Sequence, residues 1–231
     1  MEAVILAGGK GTRLQPFTTV LPKPLMPVGG RPILGIIIEQ LRKAGVERIV
    51  LAVNHMAEII MAVVGDGRKY GLRIEYSVEP FPLSTIGPLK LIRDLPEDFI
   101  LMNGDILTDL DYTALYEHHR KSGCRLTSAV CRREVPIDFG VIQLDPASNR
   151  VIGFQEKPVY TFEVSMGVHV MDRRLLNDVP AGRAYGMDNL VHDMLERNEP
   201  ICTFPFSGYW LDIGRPDDFE RANVEIENLK L

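Results

Sequence analysis

Apolar positions along the first half of the chain alternate between two rhythms. Short aliphatic and β-branched runs at residues 3–7, 48–53, 73–78 and 99–102 have the length and the flanking turn residues of buried strands. Between them, residues 31–44 repeat apolar side chains at helical spacing (Ile33, Ile36, Ile37, Leu41), with Pro32 suited to a first turn and Gly45 to an end. Residues 57–64 form a second amphipathic stretch, stopped by Gly65. A helix over 111–122 and a strand over 125–132 follow. The second half has shorter periods: strands at 140–144, 151–156 and 165–171, helices at 173–177 and 188–197, strands at 200–204 and 209–212, and a closing helix at 216–229. Alternating strands and helices imply an α/β fold. The expected form is Rossmann-like, a three-layer α/β/α single domain with a mostly parallel mixed central sheet. Ligands of such sheets bind beyond the C-terminal strand ends.

The first strand ends in Leu6-Ala7-Gly8-Gly9-Lys10-Gly11-Thr12-Arg13. Glycines let a loop backbone approach a ligand, and successive N–H groups form an anion-binding concavity. Lys10, Arg13 and Lys23 add cations and Thr12 a hydroxyl, so the stretch reads as a polyphosphate cradle. Two familiar phosphate loops are excluded. The G-x-G-x-x-G fingerprint would need a glycine at Leu14 and an acidic residue about 20 positions on, where Val28-Gly29-Gly30 stands. The G-x-x-x-x-G-K-[ST] pattern is absent.

Composition narrows the partners. With 231 residues, 45% hydrophobic and 25% charged, the chain suits one large globular domain. A net charge of −5 opposes general nucleic-acid binding. No apolar run approaches the about 20 residues of a membrane span, and no secretory start is present, so a cytoplasmic location and no membrane partner are expected. Three cysteines, Cys124, Cys131 and Cys202, without C-x-x-C spacing read as reduced thiols. The five histidines read as surface or helix residues without a metal role.

Two aspartates follow strand-like runs: Asp105 in Leu101-Met102-Asn103-Gly104-Asp105, and Asp212 in Tyr209-Trp210-Leu211-Asp212-Ile213-Gly214. Either alone fits a turn or a helix cap. Facing one crevice beside the glycine loop, they suit a hard dication such as Mg²⁺, which takes one or two carboxylates plus phosphate oxygens. Asp109-x-Asp111 is a D-x-D string of the kind glycosyltransferases use, but its place at a helix start makes it a cap.

The string G-G-x-G-T-R-L followed by P-K-P-L (Pro22 to Leu25) resembles the signature of the sugar-1-phosphate nucleotidyltransferases. In spelling the chain looks most like mannose-1-phosphate guanylyltransferases and their heptose-1-phosphate relatives. The resemblance runs from Ala3 to about Asn223, with the blocks in the family's order. It implies a nucleotide-binding half over about 1–139, and a sugar-phosphate-binding subdomain and closing helix over about 140–231. It also implies Mg²⁺ on Asp105 and Asp212. Nucleotide contacts would come from Leu6, Ala7, Gly8, Gly9, Gly11, Thr12, Arg13, Glu79, Thr85, Gly87, Asn103 and Gly104. In Gly153-Phe154-Gln155-Glu156-Lys157-Pro158, Glu156 would bind sugar hydroxyls and Lys157 the sugar's phosphate. Gly140 of Phe139-Gly140-Val141 would let the sugar lie against backbone. Ser165 stands where the family usually has Asn, and Ser84 and Ile86 replace a Gly and an Ala in the loop that meets base and sugar.

The implied partners are a nucleoside triphosphate, GTP favoured, and a sugar 1-phosphate. The implied reaction is in-line attack of the sugar phosphate on the α-phosphorus, with pyrophosphate leaving and no covalent intermediate. A phosphate is already a nucleophile, so catalysis is positioning and charge neutralisation, with Arg13 and Lys23 as catalytic cations. A uridylyl- or thymidylyltransferase, a regulatory nucleotide-sugar binder and a glycosyltransferase are the competing readings, separated by which phosphate product is released. The sequence does not give the oligomeric state, and a homodimer is left open.

Overall fold

The computed structural model describes residues 1–226 and 229. Chain order is β1 (Glu2–Leu6), β2 (Pro27–Val28), β3 (Arg31–Pro32), α1 (Ile33–Lys43), β4 (Arg48–Val53), α2 (Ala57–Val64) and β5 (Arg73–Val78). Then come β6 (Asp98–Asn103), β7 (Ile106–Thr108), α3 (Tyr112–Ser122), β8 (Leu126–Pro136), β9 (Val141–Leu144) and β10 (Val151–Gln155). The chain continues with β11 (Val159–Asp172), α4 (Met187–Glu196), β12 (Ile201–Phe206), β13 (Trp210–Asp212) and α5 (Pro216–Glu225). Of the closing helix expected over 216–229, Glu227 and Asn228 lie outside the described residues.

Seven strands form the central sheet in the order β12-β8-β11-β6-β1-β4-β5. Four of its six pairings are parallel; β11 runs antiparallel to both its neighbours, which makes the other two antiparallel and the sheet mixed, as expected. Successive residues of each strand point to opposite faces, and both faces are covered. Ala3, Ile5, Ile49, Leu51, Ile100 and Met102 pack under α1, α2, α3 and α5. Val4, Val50, Ala52, Phe99 and Leu101 pack under α4 and a short 3-10 turn at Gly87–Leu91. Burial on both sides explains why these strands read as continuous apolar runs. In α1 the apolar stripe is wide: Ile33, Leu34, Ile36, Ile37, Ile38 and Leu41 are all buried, each contributing roughly 1.5–3 kcal/mol.

Three expectations need correction. The strand expected over 165–171 is the distal half of β11, whose first half was not foreseen because Val159, Tyr160 and Phe162 are exposed and show no core-facing alternation. Cys124 and Cys202 are not free thiols: the parallel pairing of Ile201 with Leu126 brings their Cα atoms to 5.9 Å and they form a disulfide, leaving Cys131 free and buried. One histidine is neither a surface nor a helix residue: His169 is buried in strand β11, whereas His119, also buried, is on helix α3 beside Thr127. No helix among the described residues is long and apolar enough to cross a membrane.

Candidate active site

The C-terminal ends of β1, β4 and β6 are tied level. Ala7 N–H donates to Ala52 O at 2.8 Å and Gly104 N–H to Leu6 O at 2.9 Å. β1 lies between β4 and β6, so the chain reverses direction across the sheet here, and a crevice opens. A cavity of about 410 Å³ fills it. Its walls include Leu6, Ala7, Gly8, Gly9 and Lys10 of the glycine loop, Lys23, Glu79, Ser84 and Thr85, and Asn103, Gly104 and Asp105 at the end of β6. Gly8 lies close against this wall: a Cβ built there would stand 2.8 Å from Glu79 Oε1 and 3.3 Å from the Asn54 backbone nitrogen.

Glu79 is a buried carboxylate at the back of this cavity. One oxygen accepts the Leu83 N–H at 2.9 Å; the other lies against Gly8. Burial pushes its pKa up, opposed by the Leu83 hydrogen bond. Asn54, which sequence reasoning missed, lines the same wall and donates to Glu79 O at 3.1 Å. Its only signal was its place just after β4.

Asp105 and Asp212 are brought together by a ladder too short to see in the sequence. β7 and β13 pair antiparallel, with Asp212 opposite Ile106, and Ile213 N–H donates to Asp105 O at 3.1 Å. Lys23 lies between the two carboxylates, in an ion pair with Asp105 and 3.9 Å from Asp212 Oδ1. Asp105 Oδ1 is buried without a hydrogen-bond partner. The pKa of Asp212 is raised by burial and by Asp105, against the pull of Lys23 and Arg13. Two carboxylates and one ammonium leave one net negative charge and an unfilled oxygen. That donor set fits a hard dication. Arg13 stands over the same corner, since a Cβ at Gly214 would meet its guanidinium at 3.5 Å.

A second cavity, of about 240 Å³, adjoins the first and shares Leu6, Thr85 and Asn103 with it. Ser165, Gly167, His169, Met187, Trp210 and Asp212 are among the other residues that line it. The Trp210 indole N–H is already taken, donating to Met166 O at 2.9 Å, so the ring is fixed as a wall.

Other predicted residues lie outside both cavities. Gly11 packs against Thr18 and Lys23, behind the loop, and Thr12 and Arg13 begin a 3-10 turn at its rim. Gly87 is buried, its N–H bonded to Tyr185 O at 2.9 Å. Gly140 and Glu156 meet each other on the β9–β10 hairpin, where a Cβ at Gly140 would lie 3.3 Å from Glu156 Oε2. Lys157 follows on the same exposed arm, in a left-handed conformation at φ 42°. Asp111 caps α3 through Ala114 N–H and Asp109 accepts Tyr209 N–H, so the D-x-D string is structural, as expected.

The nucleotidyl transferase family model matches residues 2–228. The chain belongs to the nucleotidyl transferase family. Among curated relatives of this nucleotidyl transferase, a mannose-1-phosphate guanyltransferase of Yarrowia lipolytica is 34% identical over 226 residues, covering 95% of this chain and 62% of that protein. A mannose-1-phosphate guanylyltransferase of Mycobacterium tuberculosis is 33% identical over 235 residues, covering 98% of this chain and 64% of its own length. The chain thus spans under two thirds of the curated relatives it matches. Solved structures match end to end. A putative glucose-1-phosphate thymidylyltransferase from Bacillus anthracis, in complex with a sucrose, superposes with TM-score 0.78 at 23% identity, covering 100% of this chain and 97% of that one. HddC from Yersinia pseudotuberculosis complexed with GMP-PN superposes with TM-score 0.74 at 27% identity, covering 97% and 99%.

Proposed function

We propose that this nucleotidyl transferase joins a nucleoside triphosphate to a sugar 1-phosphate, with GTP and mannose 1-phosphate or a heptose 1-phosphate as the favoured pair. The observation that carries the reading is the pairing of Asp105 with Asp212 at the junction of two cavities, one floored by a glycine loop. The first cavity draws its walls wholly from residues 6–105, which supports a nucleotide half over about 1–139. Much of the second comes from residues 165–212, which supports a sugar-phosphate half over about 140–231.

In this reading the loop from Gly8 to Thr12 cradles the triphosphate with backbone N–H groups. Arg13 holds the β- and γ-phosphates and steadies the pyrophosphate as it leaves. Asp105 and Asp212 hold Mg²⁺, which would neutralise phosphate charge when bound. Lys23, already beside both carboxylates, supplies its cation near the α-phosphate. A sugar-phosphate oxygen forms the new bond to the α-phosphorus while the bond to the bridging oxygen breaks, and pyrophosphate departs with that electron pair. Glu156 and Lys157 stand on the hairpin arm, from which they would reach the sugar phosphate, with Gly140 and Ser165 as backbone and hydroxyl contacts.

Glu79 supports the favoured base. Its free oxygen faces the cavity beside Gly8 and needs an N–H donor. Guanine presents N–H donors side by side on its pairing edge, whereas uracil and thymine present one between two carbonyls. The names of the curated guanylyltransferase relatives point the same way. The test is pyrophosphate release from a panel of nucleoside triphosphates against sugar 1-phosphates. The reading expects release, fastest with GTP. A regulatory binder would release nothing, and a glycosyltransferase would release a nucleoside diphosphate.

A further inference from the structure

Under the second cavity β11 changes register. Its pairing with β8 slips between Ser165 and His169. Beyond the slip, Val168 and Val170 enter the core on the α1 side, so His169 faces the other side of the sheet, opposite Leu101 of β6 and Ser128 of β8. The cavity opens on that side, and the imidazole forms part of its wall. A polar ring only 6% exposed in a central strand is costly unless its nitrogens are matched. Nδ1 is matched: Ser128 Oγ lies 2.8 Å away. Nε2 has no protein partner among the described residues, yet it is not sealed in as Asp105 Oδ1 is. Burial pushes the His169 pKa down to about 4, so the ring is neutral, with one N–H and one lone pair. The ring therefore offers one unspent hydrogen-bonding nitrogen to whatever fills the cavity.

We propose that His169 reads a hydroxyl of the bound sugar 1-phosphate through Nε2, and that Ser128 is a positioning residue that fixes the imidazole through Nδ1. The inference rests on reading this cavity as the sugar side of the transferase. A neutral imidazole suits a neutral hydroxyl. The Ser128 hydroxyl can give or accept, so either tautomer is available to match the sugar. An epimer with that hydroxyl inverted would leave Nε2 unmatched in a nearly dry wall, which is how such a residue discriminates between sugars.

The test uses the whole chain with His169→Phe, His169→Gln and Ser128→Ala, and follows pyrophosphate release. His169→Phe is expected to raise KM for the sugar 1-phosphate about 3- to 10-fold, the loss of one neutral hydrogen bond, with KM for the triphosphate unchanged within about twofold. Glutamine should restore part of the loss, and Ser128→Ala should show a smaller loss of the same kind. Sugar 1-phosphates each lacking one hydroxyl give the decisive readout. Deleting the hydroxyl that His169 reads should weaken the wild type but cost the phenylalanine variant nothing more. If the losses add at every hydroxyl, or both KM values rise in parallel, His169 is a packing residue and the proposal falls. If the phenylalanine variant does not fold, the same comparison with His169→Gln and Ser128→Ala decides. A wild type that releases no pyrophosphate with any sugar 1-phosphate overturns the transferase reading and this inference with it; an active wild type with additive losses overturns the inference alone.

Discussion

Gly167 and Gly182 both sit at φ 69°, a conformation that disfavours any side chain. They differ in what a Cβ would meet. At Gly182 nothing lies within 4 Å. At Gly167 a Cβ would stand 2.7 Å from Asn103 Nδ2 and 2.7 Å from Ile106 Cδ1, about 1 Å inside ordinary contact. Ile106 is buried on β7, opposite Asp212, and Asn103 is part of the wall shared by both cavities. Alanine at either position carries the left-handed penalty of about 1–2 kcal/mol. At 167 it adds an overpacking cost of about 1–3 kcal/mol, because one of the two side-chain ends it meets, Ile106 Cδ1, is buried in the packed core and has little room to give. At about 2–4 °C per kcal/mol for a domain of this size, Gly167→Ala should melt roughly 2–12 °C below Gly182→Ala. It should also lose about 10²-fold in kcat/KM through the shift of Asn103 and the β7–β13 ladder, while Gly182→Ala stays near wild type. Scanning calorimetry of both variants with parallel pyrophosphate assays gives the answer. Equal melting temperatures, or full activity in Gly167→Ala, would refute the reasoning that the bulge in β11 fits against Asn103 and Ile106.

Arg13→Ala should lower kcat about 10²–10³-fold with little change in melting temperature, the loss of one preorganised electrostatic donor; near-normal turnover would remove Arg13 from the chemistry. Glu79→Gln should narrow the preference for GTP over UTP, because an amide offers the base a weaker, uncharged acceptor in place of the free carboxylate oxygen; an unchanged ratio would place base selection elsewhere. Stability should fall with acid through His169. Its pKa in the folded protein is about 4 against an ordinary 6.5, so the unfolded chain binds the proton more readily. The penalty is absent above 6.5, grows as pH falls, and is complete below 4 at about 3 kcal/mol. Urea unfolding of wild type and His169→Phe at neutral pH and near pH 4 should show that the wild type loses more; parallel losses would contradict a buried neutral ring.

How much of this was legible depends on how far apart the interacting residues lie in the chain. β1, β4 and β6 were readable because strands buried on both faces leave unbroken apolar runs, and the glycine loop because its chemistry is local. Asp111 as a cap was readable for the same reason. β7 was not: three residues carry no period, and what makes them a strand is β13, a hundred positions on. His169 looked like an isolated histidine until the register slip turned it toward a cavity. The disulfide likewise depends on β12 adding beside β8, which no spacing between Cys124 and Cys202 reveals. Motif strings identified Gly140, Glu156 and Lys157 as candidates, but these residues occupy a hairpin arm outside both cavities.

The most direct test follows the α-phosphorus. With GTP labelled at that atom, Mg²⁺ and mannose 1-phosphate or a heptose 1-phosphate, the label should appear in a nucleoside diphosphate sugar, matched one to one by unlabelled pyrophosphate. Asp105→Asn and Asp212→Asn, each verified as folded, should abolish both products. Label recovered in free nucleoside mono- or diphosphate, or aspartate variants as fast as wild type, would contradict the account.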